Sequence, residues 1–461
     1  MNIKNIISNT FEIKISIIVC ILSVLLSVIG IFTNFSVVII FLLGVGILFI
    51  SIKKPINLLY IFIFLIPFEE ITVLTESITI LKLLGWLLLF FWVIKYIQRR
   101  IFPKITKGLI ILFIFILWML ISYFWAYYPA AVLFRIPTLI QLFIMFWIIV
   151  DSINKKDLLN KAFWAYTIGS ILVSLIASIL FVGGSETIYG RAALGFSGSP
   201  NHLPLSIIPA FWWLWVNFLD NTVLYRKILL SILFIPLVLV LVFSASRGAI
   251  FALIGSGLIS LVWKKSRRSS IVLISLVILS YGVLQYINDP NLLSRFSFDS
   301  LLNDRGAGRF DIWLVGLQIA RNNLVFGVGL NGFAWVFGKY YEITQTIRVL
   351  SDFRVSHNIY LGILVDTGLI GLSIFLTFII YEIMPLFKQF LNHESLSLIN
   401  KKYILVFSGA FLGVFSLLIG GFGLDIIYKK YFWLIIAFCE SCRFMIMRLD
   451  PKINRNHKCI S

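Results

Sequence analysis

Apolar stretches long enough to cross a membrane follow one another along this chain, separated by short polar connections. A helix of about 20 apolar residues spans roughly 30 Å of hydrocarbon. The pattern therefore predicts an all-α fold, a polytopic integral membrane helical bundle that forms a single domain over residues 1–461. The predicted spans lie at 13–33, 36–52, 79–97, 107–126, 131–150, 158–182, 202–219, 226–243, 246–263, 269–287, 357–384, 403–424 and 429–447.

A shorter run at 56–67 decides the topology. Counting it as a crossing gives 14 spans and places both termini on one side. With that count, 26 of the 39 lysines and arginines fall at the termini and on even-numbered connections, 7 in the long segment 288–356, and 6 elsewhere. Because cytoplasmic connections collect these residues, we predict that both termini are inside and that 288–356 is an extracytoplasmic loop. The six exceptions are Lys82, Arg135, Arg191, Arg247, Lys429 and Lys430.

Composition supports the membrane class, since 60% of residues are hydrophobic and only 13% are charged. The net charge of +19 does not indicate nucleic-acid binding, because the one long soluble segment carries 7 basic and 6 acidic residues. Within that segment, apolar residues recur at near-helical spacing over 310–320 and predict an amphipathic helix against the membrane end of the bundle. Gly327-Val328-Gly329 and Asn331-Gly332 then predict a break.

His357 is the first candidate for chemistry, because it precedes an apolar run of more than 20 residues and should lie at a membrane surface. An ionisable residue there is a functional candidate. The dipole of the following helix disfavours protonation, so a neutral ring that accepts a proton is expected. The alternative is a polar cap at the interface, where Ser356 is the better capping residue.

Arginines on the outer side are the second group of candidates, because they oppose the charge bias. Arg247 lies in Ser246-Arg247-Gly248, a tight turn between two spans, and Arg309 begins the predicted amphipathic helix. Arg305 is close enough to exchange roles with Arg309. The alternative for each is an interfacial arginine that reaches lipid headgroups. Arg191 lies in a looser pattern ahead of a Pro-Asn turn, and His202 after that turn is interpreted as a structural residue.

Several kinds of site are absent from the sequence. The four histidines (202, 357, 393 and 457) are scattered, and no cluster has the spacing of metal ligands. No phosphate-binding loop and no paired aspartates indicate a nucleotide sugar. We therefore predict no cofactor. Without a nucleotide site, any group that this chain transfers on the outer side must be activated before it crosses the membrane.

One pattern resembles a family signature: His357-Asn358, nine residues, then Gly368-x-x-Gly371. It is similar to the signature of the O-antigen ligase and O-antigen polymerase superfamily of bacterial membrane glycosyltransferases. The resemblance extends over roughly 185–375 and includes the Ser-Arg-Gly turn at Arg247 and the Arg309-Phe310 pair. The chain departs from the family where Leu324 stands in place of a proline.

The resemblance implies a multi-pass enzyme of the bacterial inner (cytoplasmic) membrane that transfers a glycan from undecaprenyl diphosphate to a sugar hydroxyl. The step would be inverting and independent of metal ions. His357 would be the general base and Asn358, Gly368 and Gly371 would support it, while Arg247, Arg309 and Arg191 would bind the diphosphate. The implied partners are the lipid-linked donor, a glycan or lipid-core acceptor, membrane lipids, and proteins of polysaccharide export or chain-length control.

Three alternatives stay open at this stage. Polymerase and ligase differ only in the acceptor, and no residue distinguishes them. A transporter or flippase of lipid-linked sugars would also use many spans and outer arginines, but it should show internal repeats and broken helices, and the sequence has no obvious ones. A non-catalytic scaffold of an export complex would leave His357 without a role.

Overall fold

The computed structural model describes residues 55–71, 79–184, 187–188, 191–192, 199–262, 306, 308–344, 351–391 and 398–449. The predicted spans at 13–33, 36–52 and 269–287 lie outside these residues. The helices are α1 Pro55–Leu65, α2 Ile80–Arg99, α3 Lys107–Ile121, α4 Pro129–Ser152, α5 Lys156–Val182, α6 His202–Asp220, α7 Leu224–Phe243, α8 Arg247–Ser260, α9 Arg309–Asn322, α10 Phe333–Tyr341, α11 Ile359–Leu391, α12 Leu398–Gly420 and α13 Lys430–Leu449. Short 3-10 turns at Ile66–Phe68 and Ser122–Phe124 follow α1 and α3.

A two-stranded hairpin departs from the all-α prediction. β1, Thr187–Ile188, pairs antiparallel with β2, Arg191–Ala192, and the partners are Thr187 with Ala192 and Ile188 with Arg191. Ala192 packs on Val242 and Ala245 at the end of α7. The hairpin is therefore a local contact between loops and does not form a layer of the fold.

Eight of the described helices are long and apolar enough to cross a membrane. Three predicted spans in the described part do not meet that criterion. α1 has 11 residues and α8 has 14. α13 is long enough, with 20 residues, but it carries Lys430, Glu440, Arg443 and Arg448. The polytopic membrane class is therefore supported, whereas the count of 14 spans and the orientation remain predictions.

α13 lies at the centre of the described bundle, where it packs on α4, α11 and α12. Its charges are paired: the Arg443 Nε lies 2.5 Å from Glu440 Oε2 and 3.7 Å from Glu382 Oε2 of α11. Both glutamates are fully buried. A buried charge needs such pairing because its desolvation is costly. Glu440 and Arg443, two of the charges that exclude α13 from a simple hydropathy criterion, thus contact other charged residues inside the bundle.

Threonine caps explain where two of the helices begin. Thr106 Oγ1 accepts a hydrogen bond from the Leu109 N–H at 3.2 Å, and Thr79 Oγ1 accepts one from the Lys82 N–H at 3.1 Å. Each cap satisfies one of the free N–H groups of a helix start. Polar residues between apolar runs therefore set these helix boundaries.

We use "outer end" for the bundle end that carries the loops before α6, α8 and α13, which the charge pattern predicts to be extracytoplasmic. Lys429 and Lys430, two of the six cations that oppose the charge bias, form ion pairs there. Lys429 Nζ lies 2.7 Å from Glu70 Oε1, and Lys430 forms an ion pair with Glu69. Their position against the charge bias is explained by these two glutamates, which follow α1.

The predicted amphipathic helix is confirmed as α9, which packs on α10 and α11. Ile312, Val315 and Ile319 are buried, and this face meets Leu361 and Val365 of α11. The spacing of three and four residues is that of one helical face. The outer segment is thereby fixed to the helix that follows His357.

α11 is broken at Gly368, which corrects the expectation of a continuous span at 357–384. Gly368 has φ +69° and ψ −172°, a region essentially restricted to glycine. The carbonyls of Val365 and Asp366 accept hydrogen bonds from the N–H groups of Val328 and Gly329, each at 2.9 Å. The break therefore lets the outer segment bond to the helix backbone.

Neither glycine of the signature has room for a side chain. A Cβ on Gly368 would lie 2.1 Å from the Val325 oxygen. A Cβ on Gly371 would lie 2.0 Å from the Thr367 Oγ1. The Trp118 Nε1 donates to the Thr367 oxygen at 3.0 Å. Gly368 thus forms the docking point for the outer segment, whereas Gly371 makes room for Thr367 and for Trp118 of α3.

Candidate functional site

His357 precedes α11 rather than lying in its first turn. Its φ of +47° is in the left-handed region, where Asn, Asp and His are enriched among non-glycine residues. Asn358 is the helix cap, because its Oδ1 accepts hydrogen bonds from the N–H groups of Tyr360 at 3.0 Å and Leu361 at 3.1 Å. The interpretation of Ser356 as the cap is therefore wrong. The Ser356 hydroxyl instead closes a tight turn around His357, donating to the Asn358 oxygen at 3.0 Å.

Two neighbouring elements fix the His357 turn. The Ile359 N–H donates to the Gly421 oxygen at 2.8 Å, and the Tyr360 hydroxyl donates to the Leu418 oxygen at 2.9 Å. On the other side, the Trp313 Nε1 of α9 donates to the Ser356 oxygen at 3.1 Å. The backbone turn that carries His357 is thus held between the end of α12 and α9.

Arg309, the first residue of α9, lies near the His357 ring. Its Nη1 is 3.1 Å from where a Cβ on Gly423 would stand, so the guanidinium packs closely over a glycine. Burial, followed by the charges of Arg309 and Arg354, lowers the pKa of His357 to about 4. The ring is therefore neutral at neutral pH, with a lone pair available. The expected neutral state is supported, and its causes are desolvation and two cations rather than a helix dipole.

His202 joins this group, although the sequence indicated only a structural role. It interacts electrostatically with His357, Arg309 and Lys429, and its Nδ1 lies 3.2 Å from the Tyr431 hydroxyl. With Glu69 and other polar residues it lines a small cleft. One sequence signal pointed to it: like His357, it begins an apolar run at the predicted outer side.

Arg191 connects two loops at the same end of the bundle. Its Nε donates to the Ser244 oxygen at 2.6 Å and its Nη2 donates to Asn201 Oδ1 at 2.8 Å. Ser246 Oγ also donates to Asn201 Oδ1, at 3.2 Å. Arg191 is 5% exposed. These contacts hold the turn that carries Arg247 beside the loop that ends at His202.

Arg247 is the first residue of α8 and is partly buried. Arg309 is likewise the first residue of α9. A helix N-terminus carries a partial positive charge from its unpaired N–H groups, and an arginine there adds a full charge. The two arginines from the sequence analysis therefore occupy equivalent positions on two helices.

Asp425 is a site residue that sequence reasoning missed. It follows α12, and its Oδ2 lies 4.0 Å from where a Cβ on Gly362 would stand, which is next to Ser356. Burial raises the pKa of Asp425 to about 6, although the Ile427 N–H, Arg135 and Lys429 act in the opposite direction. An acid near the His357 turn could not be recognised from its sequence neighbours, because 68 residues separate the two.

In the part of the chain that the structure describes, no group of His, Cys, Asp and Glu side chains is arranged to hold a metal ion. The site is composed of imidazole, guanidinium, ammonium and carboxylate groups together with backbone N–H groups at helix starts. Such a set can accept a proton and bind an anion.

Comparison with known protein families gives a match to part of the chain. Residues 231–376 match the family model described as O-antigen ligase, and this range includes Arg247, Arg309, His357 and both signature glycines. Arg191 and His202 lie before it. No protein of curated function matches the chain. Residues 231–376 are thus similar to the O-antigen ligase family, which supports the resemblance to the O-antigen ligase and polymerase superfamily.

Proposed function

We propose that this chain transfers a glycan from undecaprenyl diphosphate to a sugar hydroxyl during synthesis of a bacterial surface polysaccharide. One arrangement carries the proposal: a neutral His357 and the Arg309 guanidinium lie together at the end of the bundle predicted to be extracytoplasmic. A base beside an anion-binding group is what this transfer requires, and the match to the O-antigen ligase family adds independent support.

The bonds change as follows in the proposed reaction. The acceptor hydroxyl oxygen attacks the anomeric carbon of the donor, and the bond from that carbon to the diphosphate oxygen breaks. The electron pair of the broken bond leaves with the polyprenyl diphosphate, and His357 takes the hydroxyl proton. Attack opposite the leaving group inverts the anomeric carbon. His357, Arg309 and Arg247 act without a metal ion or another cofactor.

Donor binding would raise the pKa of His357. In the free protein, two arginines and burial keep the pKa of His357 at about 4. A diphosphate bound at Arg309 brings negative charge close to the ring and offsets the effect of that cation, so the imidazole becomes more basic when the donor is present. The ring is then neutral before the reaction and better able to take a proton during it.

Arg309 and Arg247 are the proposed diphosphate ligands. A planar guanidinium binds two phosphate oxygens together and stays charged near lipid. The N-termini of α9 and α8 add partial positive charge that favours the leaving diphosphate. In this proposal Arg191 positions the Arg247 turn through Ser244 and Asn201.

The acceptor is either a second lipid-linked glycan, as in a polymerase, or a finished lipid core, as in a ligase. In both cases the protein works in the bacterial inner membrane, in contact with membrane lipids and with proteins of polysaccharide export and chain-length control. The outer position of the site would let it receive either acceptor.

A transfer assay with purified lipid-linked donor and the full chain in lipid vesicles tests the proposal. His357→Ala should lower the rate by about 10² to 10⁴ while donor binding persists. Arg309→Ala and Arg247→Ala should nearly abolish transfer, and Lys at either position should restore only part of it. His393→Ala, at a position predicted to be inside, is the matched control. Equal product from wild type and His357→Ala would remove the base from the mechanism.

A further inference from the structure

Two buried glutamates meet inside the bundle, beside the start of α3. Glu382 of α11 and Glu440 of α13 are both fully buried. A Cβ on Gly108, the second residue of α3, would collide with Glu382 Oε1 and would lie 3.1 Å from Glu440 Oε2. Both carboxyl groups therefore lie against the same residue of α3, and we call Glu382 and Glu440 the carboxyl pair.

The carboxyl pair is separate from the candidate site. The Trp118 Nε1 of α3 donates to the Thr367 oxygen, where the outer segment docks on α11. Gly108 lies ten residues earlier on the same helix, which corresponds to about 15 Å along its axis. An inference about the carboxyl pair therefore does not depend on the proposed function.

The guanidinium of Arg443 binds Glu440 through two hydrogen bonds. Its Nε donates to Glu440 Oε2 at 2.5 Å and its Nη2 donates to Glu440 Oε1 at 2.6 Å. Its Nη1 donates to Met447 Sδ at 3.1 Å. Paired bonds from a guanidinium stabilise the ionised form of a carboxyl group. Glu440 is therefore the ionised member of the carboxyl pair.

Glu382 has no comparable partner. No described residue donates a hydrogen bond to either of its carboxyl oxygens, and the Arg443 Nε is 3.7 Å from Glu382 Oε2, beyond hydrogen-bond distance. A buried carboxylate without donors is costly, and a second negative charge beside Glu440 adds to the cost. A proton on Glu382 removes both costs, because the neutral carboxyl group can donate to the Glu440 carboxylate.

The other ionisable groups nearby favour the same assignment. Lys104, which precedes α3, interacts electrostatically with Glu440, and its ammonium group lies over the Phe444 ring. It therefore stabilises the carboxylate of Glu440. In the described part of the chain, the groups that interact electrostatically with Glu382 are Glu440, Arg443 and Cys439 of α13 and Tyr381 of α11. Arg443 is the cation of this group, and it is bonded to Glu440.

We propose that the carboxyl pair binds one proton at neutral pH, carried by Glu382 and donated to the Glu440 carboxylate, so that this hydrogen bond joins α11 to α13. The pair and its guanidinium are then neutral together. α11 follows His357 and α13 begins at Lys430, so the proton links two helices that reach the outer end. Loss of the proton places two negative charges at this contact and loosens it.

Infrared spectroscopy of the full chain in lipid vesicles detects this proton, because the C=O stretch of a neutral carboxyl group is separate from the carboxylate bands. At neutral pH, wild type should show a neutral-carboxyl band that shifts when its glutamates carry a heavy carbon isotope. Glu382→Gln should remove this band. Glu440→Gln should also remove it, although Glu382 is intact, because Arg443 can then pair with Glu382. Glu342→Gln, at an exposed position, is the matched control and should leave the band unchanged.

The melting temperature gives a second measurement of the same proton. The folded protein keeps a proton on Glu382 that an unfolded chain loses above about pH 4.3, so the stability of wild type decreases as the pH rises. Glu382→Gln keeps a neutral hydrogen-bond donor and takes up no proton. Its melting temperature relative to wild type should therefore rise between about pH 5 and about pH 8, whereas that of Glu342→Gln should not.

Two results on wild type would overturn the inference whether or not a variant folds: the absence of a neutral-carboxyl band at neutral pH, and a band that does not shift with labelled glutamate. A band of wild-type size in Glu382→Gln or Glu440→Gln would also overturn it, as would parallel pH dependence of melting in Glu382→Gln and wild type. Neither measurement uses glycan transfer, so its failure leaves the proposed function untouched.

Discussion

Asp366 of α11 holds Phe333 of the outer segment: its Oδ1 accepts a hydrogen bond from the Phe333 N–H at 2.9 Å. Its second oxygen accepts one from the Asn331 N–H at 2.8 Å. One buried carboxylate in a membrane helix therefore caps α10, while the helix break at Gly368 lies two residues further on. The outer segment and the helix that follows His357 form one unit.

Asp366→Asn should loosen this unit. An amide offers one acceptor oxygen, so one of the two N–H groups loses its partner, at a cost of about 1–3 kcal/mol. The melting temperature of the purified protein should fall, and protease should cut near residues 324–335 sooner. Glu342→Gln, at an exposed position of the same segment, should do neither. Unchanged melting of Asp366→Asn would show that the segment is held by other contacts.

Gly368→Ala should disrupt the contact between the outer segment and α11 more strongly than Asp366→Asn does. The backbone conformation there is essentially restricted to glycine, and the added methyl would collide with the Val325 oxygen at 2.1 Å. We expect transfer to be lost and the outer segment to become sensitive to protease. In Gly183→Ala the methyl meets its nearest atom at 3.4 Å, so this control should behave as wild type. An active, protease-resistant Gly368→Ala would contradict the docking role.

The pH dependence of kcat/KM should report the low pKa of His357. The neutral ring is the active form, so the rate should stay level between about pH 8 and about pH 6 and fall at lower pH, with a midpoint near the pKa of about 4. Arg354→Gln removes a cation that disfavours the imidazolium, so the midpoint should rise. Arg321→Gln, an exposed charge at the end of α9, should leave it in place. A midpoint near the ordinary histidine value of about 6.5 would show that the ring is more solvated than the structure indicates.

The sequence predicted the helix positions well, because a membrane requires long apolar helices wherever the chain crosses. It also predicted α9 from periodicity, and the resemblance to a family signature singled out Gly368 and Gly371. It could not predict what those glycines contact, since Val325 lies 43 residues before Gly368 and adjacency arises only on folding. The positions of His202 and Asp425 beside His357 depend on the packing of α6 and α12, which no local pattern encodes.

Arg191→Lys should distinguish a positioning role of Arg191 from direct contact with the diphosphate. A single ammonium group cannot reproduce the pair of bonds to the Ser244 oxygen and Asn201 Oδ1, so we expect a lower melting temperature, by an amount that corresponds to about 1.5–3 kcal/mol. Transfer should fall with it, because the Arg247 turn moves. If Arg191→Lys instead melts as wild type but binds the donor weakly, Arg191 contacts the diphosphate directly, as the family resemblance implies.

The orientation of the bundle is tested by labelling single cysteines in intact cells with an impermeant reagent. Cys439 and Cys442 are buried, and all four native cysteines are replaced first. Glu342→Cys should be modified and Arg99→Cys should not, since both positions are exposed and the charge pattern places them on opposite sides. The reverse labelling would invert the predicted topology.

The ion pairs of Lys429 and Lys430 also bear on how the protein is made. Their partners Glu70 and Glu69 leave the ribosome 359 and 361 residues earlier. At about 5–20 residues per second, that gap lasts on the order of 20–70 s. During this interval neither glutamate can form its pair with Lys429 or Lys430, and the contacts of α13 have not formed. The outer end reaches its final packing only after α13 is inserted, so synthesis that stops before α13 leaves both of these ion pairs unformed.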